Sequence, residues 1–291
     1  MNHGKQLITH VSFNKSLSPF VDTAGDTEIT RHSLIGRQLN FDIDTTEKLC
    51  TGYLDFENHC AHTCPANRQV DEKYEQCPEC QNRTGFNPAF YNAKSVSEQQ
   101  QKINQNPHAL YLAYFAPNVV KVGISQAHRV KQRLLEQGAR RAIILDICPT
   151  ALVARQYEAK ISAIPGMYET IRRQTKFRLL QTPFADKSAE DELDRKLSRI
   201  ESILNLKFTD KQNFETEPYF YSKNLDLTKL VDVTDQFQLV GDVVGVVGSF
   251  AIAKYQENLL AYDLKKYIGR KFGQHDGEIE LELPSEQLTL F

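Results

Sequence analysis

Five of the chain's six cysteines crowd into residues 50–80, at Cys50, Cys60, Cys64, Cys77 and Cys80. The last two stand in Cys77-Pro78-Glu79-Cys80, where thiolates two residues apart can chelate one ion. Structural zinc takes four sulfur or nitrogen ligands in a closed tetrahedron. Cys50, Cys64, Cys77 and Cys80 are the expected zinc ligands, with His59, Cys60 and His62 as spare donors. Clustering of this kind, with no apolar leader after Met1, points to metal rather than to disulfides. Such an ion holds together a piece of chain too small to bury its own core. Four soft thiolates leave no open position for metal catalysis.

A second group of reactive side chains lies further along. "ALYLAYF" (109–115) and "VVKVGIS" (119–125) read as two strands joined by the turn "APN" (116–118). A three-residue loop would set Phe115 opposite Val119 and Tyr111 opposite Gly123. Tyr111, Lys121 and Gly123 then share one face, because successive side chains alternate. On the following helix, "QAHRVKQRLLEQGA" (126–139), Arg129, Arg133 and Gln137 recur every fourth residue in one stripe. Residues 121–141 hold six Lys or Arg against one acid, Glu136, a local charge of +5. Arg129, Lys131, Arg140 and Arg141 are the expected nucleic-acid contacts, and Arg172, Arg173, Lys176 and Arg178 extend the basic run. Glu158, on a later helix, is a carboxylate with no cation at i±4.

"ALY" (109–111), "KVG" (121–123), Arg133 on a helix and Glu158 on a later one resemble the GIY-YIG nuclease superfamily over about residues 108–165. "LCTGY", "QCPEC" and "EQGA" are similar to stretches of an uncharacterised prokaryotic family that sets a zinc-ribbon-like module before a GIY-YIG-like core. The resemblance implies catalytic roles for four residues. Tyr111 would help to activate the attacking water, Arg133 would stabilise charge on the scissile phosphate, and Glu158 would hold Mg²⁺ or Mn²⁺. Lys121 stands where the second motif tyrosine usually lies, and Gln137 where a histidine is frequent. That chemistry is hydrolysis of a phosphodiester, in DNA or else in RNA. A non-catalytic DNA- or RNA-binding adaptor on the same fold is the alternative, favoured by Lys121.

The chain closes with "QLTLF" (287–291), which looks like the pentapeptide by which bacterial replication and repair proteins bind the DNA sliding clamp. Leu288, Leu290 and Phe291 would fill an apolar pocket and Gln287 would fix the register. A strand through "EIELEL" (278–283) is the structural alternative. The tail adds weight to DNA as the substrate, in a protein of DNA repair or replication.

These side chains need elements to position them, and the pattern predicts an α+β fold. The chain has 291 residues, 41% hydrophobic and 25% charged, with a net charge of −2. Any contact with nucleic acid must therefore come from a local patch. "VVGVVGSFAIA" (243–253) is too short to span a bilayer, so a cytoplasmic protein with no membrane partner is expected. N-terminal strands fill 1–49, with "QLNFDID" (38–44) alternating. The zinc module covers 50–92, the GIY-YIG-like unit 106–185, a helical connector 186–228, a small β module 229–275 and the clamp-binding tail 284–291. Thr150 is the expected N-cap of a helix over 150–162, and Ser188 with Asp191 a capping box for 188–206. Gly138 should close the helix before it. Gly241, Gly245 and Gly248 precede no helix, so they read as bulges or bends rather than a phosphate loop.

Overall fold

The strand His108–Ala116 is buried at every position. A half-buried strand alternates, so burial throughout means that both of its faces are covered. That requirement organises the protein, which is seen here as a computed structural model describing residues 5–25, 28–55, 58, 60–86 and 96–283. His59 and the tail 287–291 lie outside the described residues.

The fold is mixed α+β. Four strands open the chain: β1 (Gln6–Phe13), β2 (Pro19–Ala24), β3 (Ile29–Ser33) and β4 (Gln38–Ile43). A small hairpin, β5 (Tyr53–Asp55) and β6 (Cys60–His62), leads to α1 (Pro78–Thr84) and then α2 (Glu98–Gln105). Next come β7 (His108–Ala116), β8 (Val119–Gln126), α3 (Val130–Gln137), β9 (Arg141–Cys148) and α4 (Ala151–Ser162). Then follow α5 (Arg173–Leu180), α6 (Asp186–Leu204), β10 (Gln212–Glu215) and the short α7 (Glu217–Phe220). The chain finishes with β11 (Val231–Asp232), β12 (Gln238–Val247), β13 (Phe250–Tyr255), β14 (Asn258–Asp263) and β15 (Lys271–Gln274).

Among the described residues a nine-stranded sheet runs β11-β14-β13-β12-β4-β15-β1-β2-β3. N- and C-terminal strands interleave in it, with β4 between β12 and β15. The second sheet, β10-β9-β7-β8, is antiparallel throughout. Ala109, Tyr111, Ala113 and Phe115 of β7 face a core shared with α3 and the large sheet. Leu110, Leu112 and Tyr114 face a second core built with α4 and α6, through Ala154, Ile161, Leu193 and Leu197.

Local signals act largely as the sequence predicts. Thr150 caps α4, its hydroxyl accepting from the Val153 amide at 3.4 Å. Gly138 ends α3 in the left-handed region at φ 75°. Two details differ. The β7–β8 connection has Ala116 opposite Val119, with a bulge after Tyr114, rather than Phe115 opposite Val119. Asn118, at φ 64°, supplies the left-handed residue that this tighter turn needs. Helix α6 begins at Asp186, with Ala185 at its N-cap, so the Ser188–Asp191 box is unused. Asp186 in its first turn and Glu190 one turn on both meet Arg141 of β9, and this pairing favours a helix start two residues early. Residues 278–283 form no strand, although Ile279 is buried and its carbonyl accepts from Tyr255 Oη at 3.0 Å.

The two sheets meet where two glycines touch. Gly248 turns β12 into β13 at φ 64°, and a Cβ built on it would lie 3.1 Å from both Cα and N of Gly138. Gly245 lies at the β12 bulge, so the glycines of this stretch do serve a bulge and a turn. Gly248→Ala should cost about 1–3 kcal/mol, from left-handed strain together with the lost close approach. Gly36→Ala is the control, because Gly36 has φ 75° but nothing within 4 Å of the added Cβ. Urea unfolding should show the larger loss for Gly248→Ala.

Candidate functional site

Four cysteines converge first. The Sγ atoms of Cys50, Cys64, Cys77 and Cys80 lie within 4.8 Å of one another, and all four residues are buried. Cys77 caps α1 and Cys80 sits in its first turn, while Cys50 and Cys64 flank the β5–β6 hairpin. Amides of Gly52 and Cys77 donate to Cys50 Sγ at 3.4 and 3.1 Å. Burial pushes the Cys77 thiol up, but hydrogen bonds from the Cys80 amide and from Cys50 outweigh it and bring it to about 7. Burial and the neighbouring sulfurs push Cys80 well above the usual thiol range. Four crowded thiolates need a cation between them, and this closed set could hold a metal ion such as zinc. Cys60 and His62 do not join it. They share one face of the hairpin with Asp55, with Cys60 Sγ 3.1 Å from His62 Nε2.

Tyr111, Lys121, Arg133 and Glu158 converge second, each from a different element. Tyr111 of β7 pairs with Gly123 of β8, the register expected from the sequence. The space above Gly123 is filled by Tyr111 itself: a Cβ there would stand 2.5 Å from Tyr111 Oη. Gln137 of α3 donates to that hydroxyl at 2.7 Å. Burial raises the Tyr111 phenol to about 12, partly offset by the positive Arg133 nearby. Burial lowers the Lys121 ammonium; Arg133 lowers it further and Glu158 opposes. The Arg133 side chain is 46% exposed and meets Glu136 only at 3.6 Å. Arg133 also lines a groove of about 740 Å³ with Tyr53, Lys73, Tyr74 and Arg31, between the cysteine module and the large sheet.

Glu158 is buried, and burial raises its carboxyl against the pull of Arg155. Arg155, one turn earlier at i−3, hydrogen-bonds Glu158 Oε2 and pairs with Glu169 at 2.8 Å. The sequence search at i±4 missed this partner. Glu169 is brought alongside by the segment near Tyr168, which bridges to Lys121 at the edge of β8.

The basic run around 121–141 does not form one cationic surface. Arg140 is buried, donates to Thr182 O at 2.6 Å and lies 4.4 Å from the Phe184 ring. Arg141 is buried among Asp186, Glu190 and Glu215. Arg129 pairs with Glu136 at 2.9 Å, and Lys131 sits over Phe214. Arg173 is held by Asp263 at 2.6 Å and by Asp232 at 3.1 Å, so it ties α5 to the large sheet.

One residue of the extended basic run is brought beside the site by packing. Lys176 of α5 donates to the Gln137 carbonyl at 2.7 Å. Burial, with Lys265, Lys121 and Arg133 close by, brings its ammonium down to about 7. A lysine in a basic run reads as surface, and only packing shows that it is half-buried against α3.

Gly123→Ala should expel the Tyr111 ring. In absorbance titration the slow phenol ionising at about 12 should then move toward the ordinary value of 10.0 and Tm should fall. Lys176 gives a pH signature. Between about 7 and its ordinary 10.5 the unfolded chain keeps this proton and the folded chain does not, so stability rises with pH across that window. Lys176→Met should flatten the rise, as read by urea unfolding at a series of pH values from neutral upward.

No helix among the described residues is long and apolar enough to cross a membrane. No curated protein and no solved structure matches the chain. A family profile does match, over residues 53–271, a span that takes in Cys64, Cys77, Cys80 and the whole Tyr111 site. On that match the chain belongs to DUF2797, a family described as protein of unknown function.

Proposed function

We propose that this is a nucleic-acid-binding protein of DNA repair or replication, and a metal-dependent phosphodiesterase on a GIY-YIG-like core. The observation that carries the reading is the convergence of Tyr111, Lys121, Arg133 and Glu158 beside a groove with exposed aromatic and cationic side chains. A phosphate backbone suits Arg133 and Lys73, and the exposed Tyr74 offers a ring on which a base could stack.

The surroundings of each group divide the work. Tyr111 keeps its proton, so it is a hydrogen-bond donor, oriented by Gln137, toward a water or phosphate oxygen. Lys121, whose proton is loosened by burial and by Arg133, is the better proton acceptor. Arg133 neutralises charge on the phosphate. Glu158 fits a hard cation: among the described residues only Arg155 hydrogen-bonds it, at Oε2, which leaves Oε1 as a ligand atom. Mg²⁺ or Mn²⁺ bound there would supply Lewis-acid stabilisation of the phosphate.

Branched and nicked DNA with Mg²⁺ should be cut by the full chain. Arg133→Ala and Glu158→Gln should lower the rate by about 10²-fold or more with folding intact. Lys121→Arg keeps the charge and should retain binding while losing cleavage. Cutting unaffected by all three would remove the assignment. The second reading, a non-catalytic adaptor, is favoured by the Arg155 grip on Glu158. It predicts salt-sensitive DNA binding without cutting under any metal, and single-stranded RNA as competitor separates DNA from RNA.

We further propose zinc at Cys50, Cys64, Cys77 and Cys80, with a structural role. Metal analysis should find one equivalent, lost in Cys80→Ser and kept in Cys60→Ser. Chelation should lower Tm. Sliding-clamp binding through Gln287, Leu288, Leu290 and Phe291 rests on the sequence, and deleting residues after Glu286 should abolish it.

A further inference from the structure

Side chains on one face of a β-hairpin recur at every second residue and sit beside their cross-strand partners. Across β5 and β6, Asp55 pairs with Cys60 and Tyr53 with His62. These four therefore share one face, and Leu54 and Ala61 share the other. Asp55, Cys60 and His62 bring one ligand atom each together: a carboxylate oxygen, Cys60 Sγ and a His62 ring nitrogen lie within 4.8 Å of one another. None of them belongs to the set of Cys50, Cys64, Cys77 and Cys80, which already has its four donors.

The three side chains are held in place. The His62 ring stacks on Tyr53, with centroids 4.8 Å apart and planes 18° from parallel. The Arg83 guanidinium lies 5.1 Å from the same tyrosine ring. The His62 backbone presses on Gly52, where an added Cβ would stand 1.8 Å from the His62 carbonyl oxygen. Gly52 is close in the chain to Cys50 and His62 is close to Cys64, so the cysteine set anchors the base of the hairpin. Asn58 donates to Asp55 twice, from its amide to Oδ1 at 3.0 Å and from its side chain to Oδ2 at 2.8 Å. A carboxylate has about four acceptor positions, so two donors orient it without exhausting it. Cys60 Sγ lies 3.1 Å from His62 Nε2. A shared proton would join those two atoms only, whereas a cation joins all three donors.

The donor types select the cation. Zinc bonds of about 2.3 Å to sulfur and about 2.0 Å to nitrogen set those atoms roughly 3.6 Å apart on a tetrahedron. A small opening of the Cys60–His62 pair therefore admits the ion. One thiolate, one imidazole and one carboxylate suit Zn²⁺ or Co²⁺ and are too soft a set for Mg²⁺ or Ca²⁺. Three ligands leave the fourth tetrahedral position open. None of the three residues is among the buried ones, so solvent reaches that position.

We propose that Asp55, Cys60 and His62 form a second metal site, open and reversibly filled, for a divalent ion of the zinc class. With three mixed ligands it is weaker than a closed set of four thiolates, and it is loaded by added metal rather than retained through purification. It depends neither on the phosphodiester reading nor on which ion the four cysteines hold.

The test is a Co²⁺ titration of the full chain, first given one equivalent of Zn²⁺ to fill the four cysteines. The readouts are thiolate-to-cobalt charge-transfer absorbance and metal analysis of the protein. One further equivalent of metal should bind, with the zinc retained and with the absorbance of a single thiolate. Cys60→Ser should abolish the band. Asp55→Asn and His62→Phe should each weaken uptake at least about tenfold. His62→Phe keeps a ring against Tyr53, so these two variants decide the matter if Cys60→Ser does not fold. No further equivalent at millimolar Co²⁺ overturns the proposal and leaves a hydrogen bond as the whole relation of Cys60 to His62. A band that survives Cys60→Ser, with zinc displaced, overturns it by placing the cobalt in the four-cysteine set. Uptake unchanged by both Asp55→Asn and His62→Phe overturns it as well, because the thiol is then acting alone.

Discussion

The double burial of β7 is the constraint on which the rest of the structure depends. A strand covered on both faces must present apolar or fully bonded side chains to each side. One face, through Leu110, Leu112 and Tyr114, binds α4 and α6; the other, through Ala109, Ala113 and Phe115, meets α3 and the nine-stranded sheet. Tyr111 belongs to that second face. Its hydroxyl is the polar atom that this arrangement carries into the core, and Gln137 and Gly123 are the accommodation made for it. The candidate site is thus built into the joint between the two sheets.

Charge follows burial in the same way. Arg141 and Arg173 are long side chains with carboxylates arranged around them, and each fastens an element to a sheet. Lys121 and Lys176 are half-buried near other cations, so their protons are loosened. Among the described residues, then, Arg141 and Arg173 are paired with acids, whereas Lys121 and Lys176 have no carboxylate within ion-pair distance.

Much of the site was readable along the chain because it rests on local rules. A two-residue cysteine knuckle with further cysteines nearby marks a cluster that could chelate an ion, and period-2 alternation with a short turn specifies the Tyr111–Gly123 register. Gly138 and Thr150 mark helix ends by backbone and hydrogen-bond chemistry that a few residues decide. The start of α6 was misread because Arg141, 45 residues away, competes for Asp186 and wins over the local box. The Arg155–Glu158 pair escaped a search at i±4 because it closes at i−3, with Glu169 completing it from a distant loop.

By itself the sequence determined the main strands and helices around the site, the crowding of the cysteines and the order in which Tyr111, Lys121, Arg133 and Glu158 occur. These follow from periodicity, capping and ligand chemistry, which act over a few residues. Only the tertiary structure decided that the first and last strands share one sheet, that Arg140 and Arg141 are buried, and that Lys176 is brought beside Lys121 and Arg133. The reason is that burial and the pairing of charges are properties of surfaces brought together from far apart in the chain. A run of basic residues reads the same along the chain whether its members face water or a carboxylate.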